Sequence, residues 1–173
     1  FVAQGGQTNG ACLPCHTVGY GLPSGFVSKT ATPHLAGVQC ENCHGPAANH
    51  AANENDPTVR PRVELAAQVC GGCHNVSQHP TFDEWNTSGH AGVVEDMNPS
   101  NRISSCGRCH SGSVRLSLLN GKPLPSGDAN VGLGCVTCHD PHKQTANPAQ
   151  LRNPISSTND FSLSTSDNFT NKY

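Results

Sequence analysis

Ten cysteines and ten histidines carry the chemistry of this 173-residue chain, and every cysteine falls into one pattern. Cys12-Leu-Pro-Cys15-His16, Cys40-Glu-Asn-Cys43-His44, Cys70-Gly-Gly-Cys73-His74, Cys106-Gly-Arg-Cys109-His110 and Cys135-Val-Thr-Cys138-His139 are five copies of C-x-x-C-H. Two thiols at this spacing can form thioether bonds to a porphyrin while the adjoining imidazole takes the iron, which is the arrangement of c-type haem attachment. No thiol is left over.

Two other readings of C-x-x-C compete. Such pairs are common halves of tetrahedral zinc sites, but zinc leaves the five motif histidines unexplained. With 10 histidines in the chain, His would follow all five pairs by chance in about one case in a million. A disulfide framework suits an exported cysteine-rich chain, yet three-residue loops are poor staples and again leave the histidines idle. Five haem c groups are therefore expected, held covalently by the ten cysteines.

The five motif histidines leave His34, His50, His79, His90 and His142. One spare histidine per haem is what bis-histidine ligation of every iron requires, and the single methionine, Met97, leaves little room for His/Met ligation. His142 stands three residues after His139. Three residues span at most roughly 10 Å, too short to round the porphyrin edge and return to the same iron. The same limit applies to His79, after His74, and less strictly to His50, after His44. Each is expected to serve another haem, so His142 would brace the last motif against an earlier one.

Composition bears on what must hold these groups in place. Hydrophobic residues make up 34% of the chain and aromatics 5%, with 18 Gly and 13 Pro, too little for an ordinary core at this length. Five porphyrins, about one per 35 residues, would supply the missing apolar mass, so folding should depend on attachment and the apo chain should be largely disordered. First cysteines recur at intervals of 28, 30, 36 and 29 residues, a quasi-repeat that suggests one elongated domain. The expected fold is mostly irregular coil with a few short α-helices wrapped around the haems, and little or no β-sheet. Residues 63–74 can be helical into the third motif, and a short helix is expected over 82–86 behind Thr81. Most other stretches, punctuated by Gly, Pro and Asn, read as loop.

The runs GVQCENCHGPAANH (Gly37 to His50), CHTVGYGLPSGF (Cys15 to Phe26), DEWNTSGHA (Asp83 to Ala91) and CVTCHDPH (Cys135 to His142) resemble multihaem c-type cytochromes. The likeness is greatest to the tetrahaem electron-transfer cytochrome of nitrification and to related, larger extracellular cytochromes, and covers approximately residues 10 to 145. It implies closely spaced haems in alternating stacked and perpendicular pairs. It also implies distal-ligand roles for the histidines ending CHGPxxxH, SGHA and CHDPH, which are His50, His90 and His142 here. Five motifs instead of four is a departure, so haem-by-haem pairing does not carry over.

Two imidazoles favour ferric iron more than a His/Met pair does, so a low-potential, low-spin electron carrier follows. An enzyme of the multihaem reductase type would need an open iron position, sometimes marked by lysine in a motif. All five motifs here end in His, and Lys29 and Lys143 read as solvated side chains. The formal net charge is -2, made more acidic by propionates, which argues against nucleic acid or anionic membranes as partners. Arg60 and Arg62 are expected to pair with propionates. The chain has no apolar run of transmembrane length and begins at Phe1, as a processed exported protein would. Its expected place is the periplasm or cell exterior.

Residues 1–145 thus read as a pentahaem domain and 146–173 as a polar tail. The tail is rich in Ser, Thr and Asn, and would need its own domain or a neighbouring subunit to lie on. Phe161, Leu163 and Phe169 are candidate anchors. Two unlike surfaces joined by translation build an open fibre, so head-to-tail association into an extracellular conducting filament is the sharper expectation. A soluble shuttle between redox partners is the alternative. In a filament, one distal histidine, His34 for instance, could come from the next subunit. The partners expected are copies of this chain and a redox protein or extracellular electron acceptor. Asn-x-Ser/Thr triplets at Asn75, Asn86 and Asn168 are possible sugar sites, for which chance is the better account of at least two.

Overall fold

A computed structural model describes residues 3, 5–76, 79–92, 103–125, 132–143 and 146–152. Met97, Phe161, Leu163, Phe169 and Asn168 lie outside the described residues. Coil and turns dominate, as the composition requires. Eight short α-helices are named here in chain order: α1 (Leu13–His16), α2 (Cys40–His44), α3 (Ala48–Ala52), α4 (Gln68–Gly71), α5 (Thr81–Asn86), α6 (Ile103–His110), α7 (Gly112–Leu119) and α8 (Cys135–Cys138). Among the described residues there is no β-strand, only isolated bridges joining Thr17 to Ala36 and His139 to Leu151.

Each C-x-x-C-H falls on or against one of these helices, and the reason is geometric. Residues three and four apart share a helix face, so one turn presents both thiols and the imidazole to the same side. The main chain closes that turn: the His16 N–H donates to the Cys12 carbonyl at 3.2 Å, His74 to Cys70 at 2.9 Å and His139 to Cys135 at 2.8 Å.

Contacts divide the chain into two compact units, Phe1–Glu64 with Gln68–Phe82, and Leu65–Ala67 with Asp83–Tyr173. In the first, Leu13, Val18 and Phe26 are buried. The Val18 N–H donates to Leu35 and the Phe26 N–H to Val18, both at 2.9 Å, which folds residues 17–26 back onto 35–36. Gln39 and Asn42 cap α2 reciprocally, and the Asn42 amide also donates to the Thr17 carbonyl at 2.9 Å, tying the second motif to the residue after the first. In the second unit α6 packs on α7 around Val114, which is 1% exposed. Ser111, fully buried, caps α7 through its Oγ, which accepts the Val114 N–H at 3.3 Å.

The helix expected over 63–74 shortens to Gln68–Gly71. Arg62 is hydrogen-bonded to the second motif and Ala67 is buried against Gly134, and these ties hold 61–66 out of helix. The expected helix behind Thr81 is present and takes Thr81 as its first residue. The longest helices, α6 and α7, fall where the sequence reads as loop. Gly107 and the serines of α6 are poor helix formers, and Val114, Leu116 and Leu118 alternate with polar residues; the Ser111 cap and the packing of α7 on α6 override both signals.

Buried apolar side chains among the described residues are few: Leu13, Val18, Phe26, Ala67, Val114 and Leu116. Close backbone approach does part of the work instead. Inside the third motif, a Cβ on Gly71 would stand 2.6 Å from the Phe82 ring; inside the fourth, one on Gly107 would stand 2.9 Å from Val114 Cγ2. Val114 is β-branched and enclosed, so it has little room to yield. Gly107→Ala is therefore expected to destabilise the haem-loaded protein by about 1–3 kcal/mol in denaturant unfolding. Gly72→Ala, whose Cβ meets nothing nearer than a carbonyl at 3.6 Å, is expected to change stability by less than about 1 kcal/mol. Equal effects of the two would remove the packing role given to Gly107.

Candidate haem sites and their histidines

None of the ten cysteines is paired in a disulfide, so each keeps a thiol for a thioether. Among the described residues no group of three or more His, Cys, Asp or Glu side chains converges as a zinc site requires.

Two motif imidazoles are oriented by the main chain. His44 Nδ1 lies 2.7 Å from the Arg62 carbonyl, and His139 Nδ1 lies 2.6 Å from the Ala149 carbonyl. A carbonyl only accepts, so Nδ1 carries the proton and Nε2 is left with the lone pair that an iron needs. Each carbonyl is itself held. The Arg62 N–H donates to the His44 carbonyl at 3.2 Å and its Nε to the Cys43 carbonyl at 2.9 Å. Near the last motif the Arg152 N–H donates to the Cys138 carbonyl at 2.8 Å, its Nε to Val136 at 3.1 Å and its Nη1 to Asp140 at 2.9 Å. The Asp140 N–H donates to Gln150 at 2.9 Å, so residues 148–152 lie on the last motif as a short strap.

The second motif opens onto a cavity of about 410 Å³, within the range of small-ligand sites. Cys40, His44, His50 and Arg60 line it, with Glu41 and Val63 among the others. The buried Nδ1 of His50 has no hydrogen-bond partner in the protein. A thiol, two imidazoles and a guanidinium on one largely apolar cavity suit a haem edge. The cavity also brings His50 and His44 to one wall, although the spacing alone points His50 to a different haem.

In the third motif the rings of His74 and His79 stand with centroids 5.9 Å apart and tilted by 43°. The Cys73 thiol is pushed up to about 11, first by burial, then by a hydrogen bond with Cys15 and by charge on Cys15 and Cys43. The second cysteines of the first three motifs are therefore near neighbours within one unit. His34 lies in the turn Pro33–Leu35, where the Gln39 amide donates to its carbonyl at 2.6 Å. The His90 N–H donates to Ser88 at 3.3 Å, and the His142 N–H to Asp140 at 3.2 Å. His34, His79, His90, His110 and His142 are exposed, which keeps their imidazoles out of the small apolar core. His16 is half-buried at the end of α1.

Arg152 and the strap escaped the sequence reading because 146–173 looks like a uniform polar tail. Its one legible signal is the tail's only arginine, Arg152, followed by Asn-Pro. Arg62, expected to pair with propionates, has its Nε engaged by the main chain of the second motif.

Repeated turns that offer two thiols and an adjoining imidazole, with the lone pair for a metal on Nε2 of His44 and His139, are the pattern of multihaem c-type cytochromes, which this chain resembles. Comparison with known proteins agrees. Residues 2–45 match the family described as cytochrome c554 and c-prime. The chain is 28% identical over 156 residues to a protein named multiheme cytochrome MtrA from Shewanella baltica, covering 76% of this chain and 45% of that one. It is 32% identical over 79 residues to cytochrome c-554 of Nitrosomonas europaea, covering 36% and 34%. It is 25% identical over 154 residues to C-type polyheme cytochrome OmcB of Geobacter sulfurreducens, covering 75% and 19%. The chain thus spans less than half the length of these relatives. No solved structure matches it. No helix among the described residues is long and apolar enough to cross a membrane.

The turn Pro57–Val59 delivers Arg60 and Arg62 to the second motif, and Asp56 caps it. The Asp56 carboxylate sits below the ordinary range because the Thr58 hydroxyl and then the Thr58 N–H donate to it, at 2.7 and 2.8 Å. A depressed folded pKa means that its stabilisation is full above the unfolded value of 3.8 and is lost as pH falls through the lower folded value. Amide exchange at Thr58, corrected for its intrinsic pH dependence, should accelerate as pH drops below 3.8, and Asp56→Ala should abolish that acceleration. A flat profile in the parent protein would dismiss the cap.

Proposed function

We propose that this chain carries electrons along five covalently attached haems. Cys12 and Cys15, Cys40 and Cys43, Cys70 and Cys73, Cys106 and Cys109, and Cys135 and Cys138 hold them. His16, His44, His74, His110 and His139 are the motif ligands; His34, His50, His79, His90 and His142 are the distal ones. The observation that carries the reading is the one-to-one count of spare histidines and motifs, supported by the Nδ1 bonds that aim Nε2 of His44 and His139 outward.

Haem c supplies a one-electron iron couple; the polypeptide supplies everything that sets its direction and rate. With a motif and a spare histidine on each iron, the bound groups would have a low potential and no place for a substrate, which would make the chain a carrier and not an enzyme. Exposed histidines let one segment reach across to another's haem, so His142 serves as a brace between the last motif and an earlier one. Replacing any one of the five spare histidines by Ala should convert a single haem to a high-spin electron paramagnetic signal. A variant that keeps the parent spectrum removes that histidine from the ligand set.

The proposal extends to assembly and place. Residues 1–145 form the haem domain, residues 148–152 of the 146–173 tail lie on its last motif, and the rest of the tail is the arm by which copies join head to tail outside the cytoplasmic membrane, passing electrons to a redox protein or extracellular acceptor. Likeness to proteins named polyheme and multiheme cytochromes supports a long haem array, and a fibre extends one without limit. Electron microscopy of native protein in dilute buffer, with an optical spectrum of the same sample, tests this. Ordered filaments with a low-spin spectrum are expected. Dispersed particles would make the chain a soluble shuttle, and a high-spin component in the parent protein would reinstate an open, reactive iron.

A further inference from the structure

The second and last motifs share a device that their sequences do not share. Beside His44 a single residue does everything: the Arg62 carbonyl accepts from Nδ1, its N–H donates to the His44 carbonyl, and its Nε donates to the Cys43 carbonyl. Beside His139 the work is divided. Ala149 accepts from Nδ1, while Arg152 donates its N–H to Cys138 and its Nε to Val136. Both times an arginine arriving from a later segment spends its inner Nε on a carbonyl of the motif turn, and both times a backbone carbonyl is thereby set on Nδ1.

We infer that Arg62 and Arg152 are positioning residues that orient two iron-binding imidazoles and lower the potentials of their haems, an inference that rests on the ligand reading above. A carbonyl on Nδ1–H fixes ring rotation and raises the basicity of Nε2, and a more basic ligand favours ferric iron. The carbonyl is main chain, so the side chain that anchors it is where the sequence controls the effect. Local strain fits this role. Ala149 and Gln150 have φ of +50° and +57°, a left-handed backbone that non-glycine residues seldom hold, and it is the conformation in which their carbonyls reach His139 Nδ1 and the Asp140 N–H. The device specifies the donor at Nε and not merely a positive charge, since lysine has no donor at that depth.

The test compares Arg62→Lys, Arg62→Gln and Arg152→Lys in the haem-loaded protein. Intact mass gives the haem count, and potentiometric titration with paramagnetic resonance gives the potential and ligand-plane geometry of each haem. Unchanged haem counts are expected throughout, and a change in count or in ligation type would implicate the ligand reading itself. With the count intact, both lysine variants should shift the ferric–ferrous equilibrium of one haem roughly tenfold towards ferrous, about 59 mV for one electron, and alter one set of g values. If Arg62→Lys matches the parent while Arg62→Gln does not, charge near a propionate is the role and the inference is overturned. If neither variant shifts a potential, Arg62 is structural only and the inference is again overturned.

A measurement on the parent protein decides the matter should a variant fail to accumulate. The hyperfine-shifted Nδ1 protons of His44 and His139 should exchange into D2O at least about tenfold more slowly than an unprotected imidazole proton. Exchange at the unprotected rate would overturn the inference.

Discussion

When a motif histidine's N–H bonds back to the carbonyl of the first cysteine four residues earlier, one helical turn closes, and two thiols and an imidazole face the same way. This bond is 2.8 to 3.2 Å long at His16, His74 and His139. It is local, so it can form without a core, and a chain with so few buried apolar side chains has little else to start from. An isolated turn is marginal in water, and here three of the five are braced by a contact of their own: Phe82 against Gly71, Val114 against Gly107, Asn42 reaching to Thr17. The identities inside C-x-x-C follow from these braces. Glycine stands inside the third and fourth motifs where a ring or a valine presses on the helix, and Asn42 stands inside the second where a capping side chain is needed.

This division of labour explains what the sequence could and could not disclose. The motifs, the dominance of coil and the helix starting at Thr81 were legible because each depends on residues within a few positions of one another. Helices α6 and α7 were not, since their propensities are poor and their stability comes from Val114 meeting Gly107. The shortened α4 has the same origin in reverse: a sequence able to form helix over 63–74 is claimed at Arg62 and Ala67 by contacts made elsewhere in the chain. Partnership between Arg152 and the last motif was invisible for a further reason. Its key bonds run to backbone carbonyls, which every residue possesses, so no pairing of residue types announces them.

Histidine placement shows the same limit from the other side. Counting five spare histidines needs only the sequence, but their partners depend on where loops travel. Chain length alone separates His50 from His44, and the fold sets both on the wall of one cavity, with the buried Nδ1 of His50 unpartnered there. A six-residue separation is long enough for either outcome once Gly45, with φ of +79°, turns the chain between α2 and α3. His79 is more tightly constrained, its ring 5.9 Å from that of His74 by centroid.

Strain in the strap indicates where stability is spent. Left-handed backbone at Ala149 and Gln150 costs on the order of 1 kcal/mol each, and an unconstrained polar segment would relax out of it. Five anchors oppose that relaxation: the Arg152 N–H, Nε and Nη1, the Asp140 N–H, and His139 Nδ1 on the Ala149 carbonyl. Individually each is worth about a kilocalorie or less, so together they suffice to hold two strained residues with little to spare. A strap balanced in this way holds its shape only while the motif turn beneath it is formed. Folding of residues 148–152 and presentation of the last imidazole are consequently one event, and a segment that reads as a tail belongs, over its first residues, to the last site.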